Sequence, residues 1–197
     1  MDKIIKILIA GDSFAAPWPF ATLGWVNLLA HRYEVTNLAQ AGVGEYKILK
    51  QIESVDVNDY ECIIVSHTSP SRIHTPNHPI HKKGFHEHCD LLYNDIADRL
   101  SWFNPSLRTA QNWFEHHYDD QYQIDIYKLI RKQIDNLLSK KNYISITHTE
   151  ISRDLSVESN NIDFSYLWKK ERGTINHYTV DGNKIIFKQM RDIIDGK

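Results

Sequence analysis

The chain has 197 residues, long enough for one domain with a real hydrophobic core. Its 23 basic and 25 acidic residues give a formal net charge of -2, which removes the electrostatic ground for binding nucleic acid or an anionic membrane. Two cysteines, Cys62 and Cys89, make no disulfide framework; both sit among apolar residues and read as buried free thiols in a reducing compartment. The N-terminal apolar run is too short to span a bilayer and has no small-residue cleavage site before its first turn. The expectation is a cytoplasmic protein.

Residues 3–10 form a dense Ile/Leu run, the pattern of a strand buried on both faces. Residues 14–22, with Pro17 and Pro19, read as a loop. Residues 23–32 carry Trp25, Leu28 and Leu29 at helical spacing. A short strand over 34–38 leads into a turn with Gly42 and Gly44. Tyr46, Leu49, Ile52 and Val55 then mark one face of a helix. Residues 62–65 are a third buried strand. Strand, helix, strand, helix, strand at this rhythm predicts right-handed βαβ units and a parallel sheet.

Residues 68–85 hold Pro70, Pro76 and Pro79 and lack periodicity, so a long loop is expected, part of a His-rich stretch over 67–88. A helical pattern returns over 87–100. Pro105 interrupts it, and the stripe of Ile124, Tyr127, Ile130, Ile134, Leu137 and Leu138 predicts a helix over 120–140. Residues 143–147 are a fourth strand, and 148–176 are polar and irregular. A closing helix over 180–195 should turn Ile185, Ile186, Met190, Ile193 and Ile194 to the sheet. The whole reads as one three-layer α/β/α domain over 1–197, flavodoxin-like, with a four- or five-stranded parallel sheet. The five tryptophans are expected mainly in the core, with Trp18 and Trp102 in or beside loops.

Three turns follow strands and converge on the carboxyl edge of such a sheet, where open α/β sheets bind ligands. They are Gly11-Asp12-Ser13, Asn37-Leu38-Ala39-Gln40-Ala41-Gly42, and Thr68-Ser69-Pro70-Ser71-Arg72. Asn176-His177 can return to that edge from the far end of the chain. A serine, a glycine-turn N–H and a histidine on one rim are the parts of an acyl-transfer site.

The order of these pieces resembles the SGNH/GDSL hydrolase family. Gly11-Asp12-Ser13 matches its nucleophile motif, Gly42 its oxyanion glycine, and His177 its late histidine. The resemblance implies that Ser13 is the nucleophile, His177 its base, and the N–H groups of Ser13 and Gly42 the oxyanion donors. Asp12 belongs to the same turn. It further implies a small ester as substrate, such as an O-acetyl group on a carbohydrate, and no cofactor. Two positions depart from the family pattern. Thr68-Ser69-Pro70-Ser71-Arg72 stands where the family has Gly-x-Asn-Asp, so the third donor is a hydroxyl, Arg72, or absent. Thr174 stands where the family has the aspartate three residues before the histidine. Asp163, Glu171 or Asp181, or a backbone carbonyl, are the alternatives for orienting His177.

These departures motivate a second expectation, a ligand-binding protein on the same fold with impaired catalysis. A third comes from the His-rich loop, where His74, His78, His81 and His88 have spacings compatible with metal ligation, and His86 and Cys89 lie beside them. That reading would make the chain a metal-dependent hydrolase. The expectation adopted is no metal, with the loop serving as a lid or substrate-binding segment. Lys169-Lys170-Glu171-Arg172 reads as a solvated stretch.

Overall fold

The computed structural model describes residues 4–18 and 23–196. The expected strand start at Lys3 and the part of the first loop from Pro19 to Thr22 lie outside the described residues. Five strands form one parallel sheet: β1 (Lys6–Gly11), β2 (Glu34–Asn37), β3 (Cys62–His67), β4 (Tyr143–Thr147) and β5 (Asn161–Asp163). Their spatial order is β2-β1-β3-β4-β5, the flavodoxin-like doubly wound order. The switch point lies between β1 and β3, where Gly11 pairs with Ser66.

The sheet is covered on both faces because its central strands carry continuous apolar runs, Ile7–Ala10 in β1 and Cys62–Val65 in β3. Ile7 and Ile9 point to one side, where they meet α1 (Trp25–Ala30) and α8 (Val180–Ile194) through Trp25, Leu29, Ile186 and Met190. Leu8, Ala10, Ile63 and Val65 point to the other. There α2 (Glu45–Glu53) and α5 (Asp120–Leu138) supply Ile48, Ile52, Ile134 and Leu138. Alternation along a strand sends neighbours to opposite faces, so a continuous apolar run requires two helical layers. Among the described residues no helix is long and apolar enough to cross a membrane.

Several expectations are corrected. The pattern over 87–100 does not become one helix; only the single turn α3 (Tyr93–Ile96) forms. Leu91 instead pairs with Ile73, each N–H donating to the other's carbonyl at 2.9 Å. Pro105 starts a helix rather than interrupting one. It stands in the first turn of α4 (Pro105–His117), where proline's missing N–H is not needed, and Asn104 caps Leu107 N at 3.0 Å. Residues 148–176 are not irregular. They hold α6 (Glu150–Asp154), β5, α7 (Ser165–Lys170) and β6 (Arg172–Ile175), each too short to show a period.

In α8, Ile186 and Met190 are buried, but Ile185 and Ile193 face solvent. Trp25 is fully buried, whereas Trp102 is exposed at a loop tip beside Phe103. A satellite cluster of Leu91, Ile96, Leu107 and Phe114 anchors the 73–118 region beside the sheet. It holds the His-rich loop over the carboxyl edge. Both cysteines are buried free thiols.

A charged network lies buried behind β3. Arg131 of α5 donates to both carboxylate oxygens of Glu158, with Nε at 2.9 Å from Oε1, and also to Ser152 O at 2.7 Å. Both side chains are fully buried. Removing one partner leaves the other charge unpaired in a low-dielectric interior. Glu158→Gln is therefore expected to lower unfolding free energy by about 3–5 kcal/mol, read from the midpoint of urea denaturation.

Candidate active site

The turn after β1 is shaped by close packing. A Cβ on Gly11 would lie 2.6 Å from Ser66 Cβ, so only glycine lets the two strand ends meet. Gly11 N donates to Gln51 Oε1 at 2.8 Å, and Gln51 Nε2 donates back to Gly11 O at 3.2 Å, tying α2 to the strand end. Asp12 then makes the turn. Its Oδ1 accepts from Phe14 N at 3.0 Å, and its carbonyl accepts from Ala15 N and Ala16 N at 3.0 and 2.9 Å. Burial raises the Asp12 carboxyl to about 6, only partly opposed by the Arg72 charge and the Phe14 N–H. Ser13 stands at the head of this turn.

His177 reaches Ser13 from the other end of the chain. Ser13 Oγ lies 2.8 Å from His177 Nε2. The approach depends on two consecutive left-handed residues, Asn176 at φ 50° and His177 at φ 67°. Asn and His are among the few non-glycine residues that tolerate this region, and such backbone concentrates at functional sites. Asn176 is also a clamp. Its Nδ2 donates to Ser13 O at 3.1 Å and Ala16 O at 2.8 Å, fixing the Ser13 turn against the histidine turn.

The imidazole of His177 packs on the Phe14 ring with centroids 4.5 Å apart. The other face of Phe14 stacks on His148 at 4.4 Å and 2°. His148 is held by Tyr178 OH at 2.7 Å and Ser66 Oγ at 3.1 Å, and burial lowers its pKa to about 3, so it is a neutral fixture. Burial also holds the His177 pKa below the usual histidine value, and the positive charges of Arg72, His86 and Arg172 lower it further.

Accepting from Ser13 at Nε2 assigns the proton of neutral His177 to Nδ1. Among the described residues no group hydrogen-bonds that nitrogen. Thr174 is exposed on β6 and does not reach it. Asp163 accepts from Ser165, Glu171 accepts from Thr179, and Asp181 pairs with Lys184. None of the three sequence alternatives orients His177. Ring packing and backbone do so instead.

Gly42 stands across the cavity at φ 76°, and a Cβ there would lie 2.7 Å from Cys89 Cβ. Substitution would be strained twice over. Among the described residues neither Ser13 N–H nor Gly42 N–H donates a hydrogen bond, and both residues line one cavity of about 290 Å³. Arg72 lines it too. Its Nη1 donates to Gly42 O at 3.0 Å and its Nε to Thr68 Oγ1 at 3.2 Å. Thr68 is buried and anchored at both backbone ends, by Glu45 Oε2 at 3.3 Å and Tyr127 OH at 2.8 Å. Ser69 and Ser71 bond to each other at 2.7 Å and line other depressions. Of the four sequence candidates in the third turn, only Arg72 faces Ser13.

The remaining wall comes from Trp18, His81, His86, Cys89, Leu92 and Asp95. Of the metal candidates, His74 turns away to Asp90, 3.4 Å from its Oδ1, and His88 is exposed. His78 and His81 converge with Cys89. Sequence reasoning missed the Asn176 clamp, the Phe14–His148 stack, and Leu92 and Asp95 as cavity walls. Only Asn176 carried a signal, as a residue compatible with left-handed backbone directly before the histidine.

No family model matches the chain, and no curated protein matches it. The crystal structure of a Lactobacillus plantarum protein is similar over 100% of this chain and 99% of that one, at 10% sequence identity and a TM-score of 0.49.

The Asp12 shift has a measurable consequence. A folded-state pKa of about 6 against an ordinary 3.8 means the folded chain holds more protons than the unfolded chain between those values. Stability therefore falls as pH rises through that window. Asp12→Asn removes this slope and is expected to gain up to about 3 kcal/mol above pH 7 relative to the parent. His148 titrates with the opposite sign, so the check is the difference in Tm between variant and parent from pH 4 to 8. A difference that stays flat contradicts the assignment.

Proposed function

We propose that this protein is a serine acyl-hydrolase of the SGNH/GDSL type that cleaves a small ester. The observation that carries the reading is the 2.8 Å contact between Ser13 Oγ and His177 Nε2. It lies in a cavity that also presents Gly42 and Arg72. A nucleophile, a base within hydrogen-bond reach and two uncommitted N–H groups satisfy the geometric requirements for acyl transfer.

In this mechanism Ser13 Oγ attacks the ester carbonyl carbon while its proton passes to His177 Nε2. The oxyanion that forms accepts from the N–H groups of Ser13 and Gly42, and the Arg72 guanidinium supplies positive charge beside it. The carbon–oxygen bond to the alcohol breaks, and the leaving oxygen takes the proton from His177. Water then attacks the acyl carbon while losing its proton to His177, and the bond to Ser13 Oγ breaks as His177 returns that proton to the serine oxygen, releasing the acid. Arg72 thus fills the role left by the missing asparagine. A cavity of about 290 Å³ suits a short acyl group, and Trp18 on its wall offers an aromatic face to a sugar such as an O-acetylated carbohydrate.

One observation favours a second reading, a ligand-binding protein with impaired catalysis. Among the described residues no carboxylate hydrogen-bonds His177, and loss of that group lowers turnover by about 10⁴ in serine proteases. Reaction of the protein with a serine-directed phosphonate and with p-nitrophenyl acetate separates the two. Covalent labelling at Ser13, found by peptide mass spectrometry, is expected. Ser13→Ala and His177→Ala should each lower turnover by at least about 10²-fold. Complete absence of labelling favours the binding protein.

The pH profile provides a separate check. His177 acts in its neutral form, so activity falls as pH drops through its pKa, and the acid limb is expected below the ordinary histidine value of 6.5. Arg72→Gln removes a charge that lowers this pKa, so the limb should move to higher pH while turnover drops about 10²-fold. An unmoved limb would separate Arg72 from His177.

A further inference from the structure

We propose that His78, His81 and Cys89 form a binding site for a zinc-class divalent transition metal on the wall of the Ser13 cavity. The three ligand atoms lie within 4.8 Å of one another. Two imidazole nitrogens and a thiolate are the donors such ions prefer, and three protein ligands leave a fourth position open. The segments that carry them are anchored independently. Leu91, two residues beyond Cys89, is bridged to Ile73, and Asp90 accepts from Gly44 N at 2.6 Å and Thr75 N at 3.0 Å. Cys89 is also wedged against Gly42, whose missing Cβ makes room for it.

A second observation points to a ligand at this place. His78 is 2% exposed, and its Nε2 is buried without a hydrogen-bond partner. A buried polar nitrogen in this state is rare in folded proteins. His78 does not line the cavity, whereas His81 and Cys89 do. A substrate in the cavity therefore meets His81 and Cys89 first, while an ion lodged among the three side chains would reach His78 directly.

One local change accompanies loading. His78 Nδ1 accepts from the N–H groups of Ile80 and His81 at 3.2 and 3.1 Å, which places the imidazole proton on Nε2. Metal binding at Nε2 moves that proton to Nδ1 and gives up both contacts. Two long neutral hydrogen bonds are small against a three-ligand metal site. Binding also releases the Cys89 proton to solvent. His81 and Cys89 line the cavity together with Asp95, so a water or substrate oxygen there could complete the coordination of a bound ion.

The test uses the full chain, freed of metal by dialysis against chelator. Zinc is titrated in competition with a chromophoric chelator, and cobalt(II) is titrated with absorption read in the near ultraviolet. The expected result is one equivalent of zinc and a thiolate-to-cobalt charge-transfer band. Cys89→Ser should abolish the band, and Cys89→Ser and His78→Ala should each weaken zinc binding about 10²-fold or more. His74→Ala and His88→Ala should bind as the parent does. Ser13→Ala should also bind normally, so failure of the esterase reading leaves this proposal intact. Folding of each variant is checked by circular dichroism, and His81→Asn serves if His78→Ala is unfolded. No stoichiometric zinc at micromolar concentration overturns the proposal. So does a cobalt band that survives Cys89→Ser, or equal loss in His88→Ala.

Discussion

The carboxamide of Asn176 is the constraint on which the site depends. It joins the first and last parts of the chain, donating to the carbonyls of Ser13 and Ala16 from a position 163 residues away from Ser13. The bonds are buried and to backbone, so they fix the path of the Ser13 turn rather than one rotamer. His177 follows directly, and its left-handed backbone aims the ring at Ser13. Without the clamp the two turns would keep the serine–histidine contact and the packing of Phe14 on His177 but lose two buried hydrogen bonds that help offset the ordering of both segments.

A second support comes from beneath. Thr68 is held by Glu45 on one side and Tyr127 on the other, and both belong to the buried polar network behind β3. His67 sits within it, with Nδ1 2.5 Å from Glu45 Oε1 and Nε2 3.5 Å from Glu158 Oε1. Arg131 neutralises Glu158. Burying such a network gains little net stability, because desolvation offsets the attraction. Its consequence is geometric. It holds the third turn, and through Thr68 it positions Arg72 beside Gly42.

Among the described residues no carboxylate hydrogen-bonds His177, and ring packing holds its imidazole instead. Phe14, the residue after Ser13, packs against both His148 and His177. That stack restricts the ring of His177 as a hydrogen bond at Nδ1 otherwise would. It does not supply negative charge to an imidazolium, so orientation is preserved while electrostatic support is not. The Arg72 charge disfavours a protonated His177, and in the proposed mechanism it would also stand beside the oxyanion.

Much of the fold was legible in the chain because its central strands are unbroken apolar runs of Ile, Leu and Val. Such runs can exist only between two helical layers, and the order of strands and helices then admits few topologies. The extents of α5 and α8 were readable from their apolar spacing, although Leu137, Ile185 and Ile193 face solvent. Short elements were not. α6, β5, α7 and β6 are three to six residues long, and no period develops over that length. Of the candidate site, the sequence by itself pointed to Ser13, Gly42 and His177, which line one cavity, because each is a chemically distinctive residue in a turn after or before a strong element. Only the tertiary structure decided what surrounds them. It selected Arg72 over Thr68, Ser69 and Ser71, left Thr174 away from the imidazole, and gathered His78, His81 and Cys89. Those outcomes depend on side-chain direction in aperiodic loops, which long-range packing sets and local sequence does not.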